Sequence, residues 1–113
     1  MALAERDWTC PVSRAARVLG DECCLLILRE LATGPRRFGE LLGPAATNTR
    51  LLSSRLRRLT RAGVLLRQVL PGRPPGVQYG LTPMGADLLP VLAVLRAFGE
   101  RWLPQWCDPL EDR

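Results

Sequence analysis

Leu52, Leu56 and Leu59 recur at spacings of four and three, which stacks their side chains along one stripe of an α-helix. They sit in TNTRLLSSRLRRLTRAG, residues 47–63, the stretch that most constrains what this chain can fold into. Asn48 stands where an N-cap belongs, its side-chain oxygen able to accept from an unpaired backbone amide. Gly63 supplies the stop, so a helix is expected from about Thr49 to Ala62. A helix with one leucine stripe needs a core to lean on. Its other side carries Arg50, Ser53, Ser54, Arg57 and Arg61, and the stretch holds five arginines and no carboxylate. One face buries; the other is left to solvent or to a polyanion.

The wider charge distribution bears on that choice. Net charge is +5, and all 16 basic residues are arginine, with no lysine or histidine. A GC-rich genome accounts for arginine replacing lysine, but not for where the charge sits. No acid occurs between Glu40 and Asp87, while Arg50, Arg55, Arg57, Arg58, Arg61, Arg67 and Arg73 all fall in that window. Such clustering is the electrostatic footprint of a nucleic-acid binder; a solvated basic face is the plainer reading. A length of 113 residues and 47% hydrophobic content suit one folded domain with its own core. No apolar run approaches a membrane span, and MALAERDW lacks the basic start and apolar centre of a secretion signal. A cytoplasmic protein without a membrane partner is expected. Cys10, Cys23, Cys24 and Cys107 lack metal-type spacing, and without histidine neither a zinc site nor any other cofactor is expected.

The remaining segments supply the leucine stripe with partners. PVSRAARVLG, 11–20, reads as a short helix with Pro11 in its first turn and Gly20 past its end. ECCLLILRELATG follows as a second helix whose Cys24, Leu25, Ile27, Leu28 and Leu31 cover most of its circumference, as in a buried central element. RRFGELLG is expected as a third, short helix with Phe38, Leu41 and Leu42 inward, and PAATN as a turn. After the arginine-rich helix come two strand-like runs, VLLRQVL and VQYGL, joined by PGRPPG with Arg73 near its tip. In the first run Val64, Leu66 and Gln68 alternate in facing with Leu65, Arg67 and Val69. Thr82 and Pro83 open a last helix to about Trp102, with Pro90 inside it as a kink. Met84, Leu88, Val91, Leu92, Leu95, Phe98 and Trp102 stripe that helix. This order describes a mainly α fold with a small β-hairpin wing, a winged helix-turn-helix.

In this order and spacing, CPV at 10–12, LLILREL at 25–31, GPRRFGEL at 34–41, LLSSRLRRLTRAGVL at 51–65, YGLTPMG at 79–85 and LLPVL at 88–92 resemble the HxlR-type family of bacterial transcriptional regulators, relatives of the MarR-like winged-helix proteins. The resemblance covers roughly residues 10–103. It implies a homodimeric DNA-binding regulator whose C-terminal helix and N-terminal segment form the dimer contacts. It also implies that the cysteine of the CP element, here Cys10, responds to oxidants or electrophiles. The chain departs from the family at GDECC, where GGKW is usual: Glu22 replaces the lysine and Cys23 the tryptophan.

Site expectations follow. The start of the arginine-rich helix should meet base edges in the major groove through Thr49, Arg50, Ser53 and Ser54, with Arg50 the best placed for a bidentate guanine contact and Asn48 at the cap counted among the DNA-binding residues. Arg55 and Arg57 should grip phosphates. Arg73 is either a groove or backbone contact on the wing or a loop charge. Arg36 and Arg37 either reach phosphates or pair with Glu40. Cys10 precedes Pro11 at a helix N-terminus with Arg14 one turn on, both of which lower a thiol pKa; a small buried cysteine without function is the alternative. Trp8, Leu88, Leu92, Leu95, Phe98 and Trp102 are the expected dimer contacts, with packing against the first helix as the alternative. Residues 1–9 are read as an arm, 10–103 as the domain and 104–113 as a loose tail. The expected protein is a homodimeric, sequence-specific repressor on a palindromic operator of double-stranded DNA, answering to an oxidant or a small ligand at the dimer interface. A protein-docking winged helix is the rival. A thiol enzyme lacks a histidine base, so no catalytic residue is expected.

Overall fold

The computed structural model describes residues 8–105 and 108–110; residues 1–7 of the expected 1–9 arm, and Cys107 in the expected tail, lie outside the described residues. Helices α1 (Pro11–Leu19) and α2 (Glu22–Leu31) lead to strand β1 (Arg36–Arg37) and the one-turn helix α3 (Phe38–Leu41). Helix α4 (Thr49–Arg61) follows, then strands β2 (Leu65–Leu70) and β3 (Gly76–Leu81), and helices α5 (Pro83–Ala86) and α6 (Leu89–Trp102). The strands form one antiparallel sheet in the order β1-β3-β2, with Arg36 opposite Tyr79 and Arg67 opposite Tyr79 from the other side. This is the winged helix-turn-helix the sequence led us to expect.

The core is built where the leucine stripe pointed. Leu52, Leu56 and Leu59 of α4 meet Ile27, Leu28 and Leu31 of α2, closed by Leu41, Val64, Leu65 and Tyr79. Each fully buried leucine or isoleucine contributes about 1.5–3 kcal/mol of transfer free energy, which is what holds α4 in place. Cys23 and Cys24 are both buried there as well, and among the described residues no polar or charged residue is.

Three expectations change. The third helix is shorter than its sequence suggested: Arg36 and Arg37 pair with β3, and only Phe38–Leu41 turns helically. Leu42, expected inward, is exposed because the helix has ended and its backbone is extended. The last helix is two helices. Thr82 caps α5, accepting the Gly85 amide at 3.1 Å while its hydroxyl donates to the Gly63 carbonyl at 2.5 Å. The chain then breaks at Asp87–Leu88, and Pro90 lies in the first turn of α6, where its missing amide costs nothing, so it starts a helix and kinks none. Burial along β2 does not alternate. Val64 and Leu65 at its root are covered, but Leu66 and Val69 are exposed, because the hairpin projects beyond the core.

Helix α6 has 14 residues, so it is ~21 Å long, and none of them is buried. Leu88 and Leu92 lean on the protein's own core. Val91, Leu95, Phe98 and Trp102 continue at helical spacing and are exposed, Phe98 at 55% and Trp102 at 62%. Among the described residues no helix is long and apolar enough to cross a membrane.

Candidate nucleic-acid interface

The interface begins with how α4 is held. The Asn48 side chain accepts from the Leu51 amide at 3.0 Å, and its carbonyl accepts from Leu52, so the cap expected from the sequence is made. At the other end Gly63 has φ +87, which an L side chain rarely adopts. With Leu52, Leu56 and Leu59 turned inward, the opposite stripe at 50, 54, 57 and 61 must turn outward. Arg50, Ser54, Arg57 and Arg61 are all exposed, and none of these arginines forms a hydrogen bond or ion pair among the described residues. Asn48 and Thr49 are exposed at the same end of the helix, and Ser53 is half-buried beside them.

The wing adds a second wall. Between α4 and the sheet runs a groove of about 490 Å³ whose basic lining is Arg57, Arg61 and Arg67, with the Ser53 and Thr60 side chains between. Arg67 and Arg61 were not singled out as site residues from the sequence. The signal for Arg67 was present: it shares a strand face with Leu65, and Leu65 is buried towards α4. Arg73 is exposed on the loop joining the strands and has no partner among the described residues.

Other arginines point elsewhere. Arg55 faces the protein: its Nε donates to Asp21 Oδ2 at 2.6 Å, and both side chains are half-buried. Arg36 is held by its own loop, donating to the Pro35 carbonyl at 2.9 Å and the Thr33 hydroxyl at 2.9 Å. Arg37 is exposed, and Glu40 accepts its backbone amide at 2.8 Å.

Cys10 is the N-cap of α1 and partly exposed. Hydrogen bonding from the Ser13 and Val12 amides and the Ser13 hydroxyl favours the thiolate and holds the thiol below its ordinary pKa. The Arg14 guanidinium donates to the Trp8 carbonyl at 2.8 Å and the Thr9 carbonyl at 3.0 Å, not to the thiol. Trp8 is 44% exposed, and the Arg17 guanidinium lies 5.2 Å from its ring centre. The other two described thiols are opposite in character. Burial, reinforced by the Asp21 charge, raises Cys23 and pushes Cys24 up to about 11.

A capped helix held by its leucines, its arginines outward beside a β-hairpin, makes a winged helix-turn-helix, and the family and relatives that it matches are transcriptional regulators. The chain belongs to the HxlR-like helix-turn-helix family, which matches residues 18–106. It is 39% identical over 102 residues to an uncharacterised HTH-type transcriptional regulator of Synechocystis, covering 89% of this chain and 76% of that one. The redox regulator HypR in its oxidised form superposes with a TM-score of 0.76 at 30% identity, over 81% of this chain and 96% of HypR. Diamide-treated YodB from Bacillus subtilis gives 0.67 at 32% identity, over 91% of this chain and all of YodB, 100%.

Proposed function

We propose that the protein is a homodimeric repressor that binds a palindromic operator in double-stranded DNA and is released from it when Cys10 is modified. The observation that carries the DNA reading is the outward stripe of α4, Arg50, Ser54, Arg57 and Arg61, whose arginine side chains have no partner among the described residues, continued on the wing by Arg67. The first turn of α4 enters the major groove, Arg50 reads a base edge, and Arg57, Arg61 and Arg67 hold phosphates. Arg73 contacts the backbone from the wing. The exposed stripe Val91, Leu95, Phe98 and Trp102 pairs with the same stripe of a second copy, with Trp8 at its margin. Two reading heads then stand about 34 Å apart, one turn of DNA. Residues 10–103 form the working unit, which acts in the cytoplasm and excludes polymerase when bound.

Cys10 is the signal receiver because its thiol is accessible and acidified, while Cys23 and Cys24 are buried and held protonated. The names of HypR and of diamide-treated YodB describe redox chemistry in those proteins, which supports this reading here. A mobility shift on the DNA upstream of the chain's own gene tests it, with and without a thiol oxidant. The expected result is a complex that oxidant dissolves, and a Cys10→Ser variant whose complex persists. A Cys10→Ser complex that still dissolves would remove the thiol from the mechanism; no complex at all would remove the DNA.

A further inference from the structure

The basic side of α4 is in fact two faces. Arg50, Arg57 and Arg61 point outward, but Arg55 and Arg58, one turn apart, point back to the two-residue turn between α1 and α2. There Asp21 is used twice. One carboxylate oxygen caps α2, accepting the Cys24 amide at 3.2 Å; the other accepts Arg55 Nε at 2.6 Å. Next to it Gly20, at φ +64, closes α1 by donating to the Ala16 carbonyl at 2.8 Å. A Cβ on Gly20 would collide with the Arg58 guanidinium, so Arg58 lies directly across the turn.

We infer that the Gly20–Asp21 turn is the seat that fixes the pose of α4, and that Asp21, Arg55 and Arg58 are positioning residues for the DNA-reading face. This rests on the DNA reading proposed above and deepens it. The leucines hold α4 against the core, but apolar attraction is non-directional and does not by itself fix the helix's rotation. A short ion pair to a helix cap is directional and removes that freedom. Because the same two residues end α1 and begin α2, a displacement of α1, the helix that carries Cys10, is passed to α4 at this point. The turn therefore lies between the thiol and the reading face.

Asp21→Asn tests this with little risk to the fold, since asparagine caps a helix as well as aspartate does. Charge alone predicts that losing an acid near a DNA-binding face tightens binding to any duplex. The seat predicts the reverse for the operator: about fivefold weaker binding there, with random duplex bound as well as before or better. Arg55→Gln should give the same loss, the double variant should be no worse than either single one, and the salt slope of Arg55→Gln should equal wild type. Tighter operator binding by Asp21→Asn overturns the proposal, as does additive loss in the double variant. So does an Arg55→Gln slope shallower by about 2, the mark of a lost phosphate contact in each protomer. Hydrogen exchange separates this from failure of the DNA reading, because it needs no DNA. Asp21→Asn should speed exchange through α4 relative to wild type, and unchanged protection there overturns the seat even if the wild-type chain binds no operator.

Discussion

Arg57→Ala should make DNA binding less sensitive to salt as well as weaker, and the size of the change follows from the geometry of the face. Arg57 and Arg61 on α4, Arg67 on β2 and Arg73 on the wing are the guanidiniums assigned to the DNA backbone, and none carries a hydrogen bond or ion pair among the described residues. A dimer doubles them, giving about eight phosphate partners and a log–log salt slope of about −7. Raising salt from about 50 to about 200 mM should then weaken binding roughly 10⁴-fold. Arg57→Ala removes one contact from each protomer, so the slope becomes shallower by about 1.8, with affinity falling across operator and random sequence alike. Fluorescence anisotropy of a labelled operator duplex over a potassium chloride series reads both numbers. Because the Arg57 side chain is exposed and has no hydrogen-bond or ion-pair partner among the described residues, lost stability should not imitate the result, and unfolding curves for the two proteins should coincide. A slope unchanged by Arg57→Ala would refute the placement of this residue on phosphate. A wild-type slope near zero would refute the polyanion and point to a protein partner.

Three further outcomes are expected. Phe98→Glu should convert a dimer to a folded monomer, because the side chain is 55% exposed and supports no intramolecular core; sedimentation showing an intact dimer would move the interface elsewhere. Gly85→Ala should cost about 1–3 kcal/mol in urea unfolding, since the new Cβ would press on the Val64 carbonyl and on Leu81; an unchanged midpoint would mean that α5 moves freely over β2. Stability should fall by about 2 kcal/mol as pH rises from the ordinary thiol value of 9.0 towards about 11, because folding holds Cys24 protonated. The stabilisation is complete below the lower value and lost through the upper one, and Cys24→Ala should flatten that limb. An equal alkaline fall in the variant would place the titration in another group.

Much of this molecule was legible from its sequence because helices announce themselves by period and by punctuation. The stripe of Leu52, Leu56 and Leu59 between Asn48 and Gly63 determined both the buried side of α4 and the outward side, and the same arithmetic placed Arg50, Ser54 and Arg57. What escaped depended on partners far along the chain. Arg55 and Arg57 are neighbours in sequence, and nothing local says that Arg55 meets a carboxylate 34 positions earlier. Arg36 and Arg37 become a strand only because β3 lies beside them; two residues carry no period to read. Pro90 fits both a kink within one helix and the first turn of another, and tertiary packing of Leu88 and Leu92 chose the second. Nor does anything local say that the Arg14 guanidinium reaches back to the Trp8 and Thr9 carbonyls.

Hydroxyl-radical footprinting on an isolated operator tests the central claim most directly, because it reads the number of α4 helices on the duplex and their spacing together. Two protected patches centred one helical turn apart, about 10 base pairs, with both lost in an Arg50→Ala, Arg57→Ala double variant, is the expected pattern. A single patch, or two patches that survive that variant, would mean that the outward arginines of α4 are not what this protein sets against DNA.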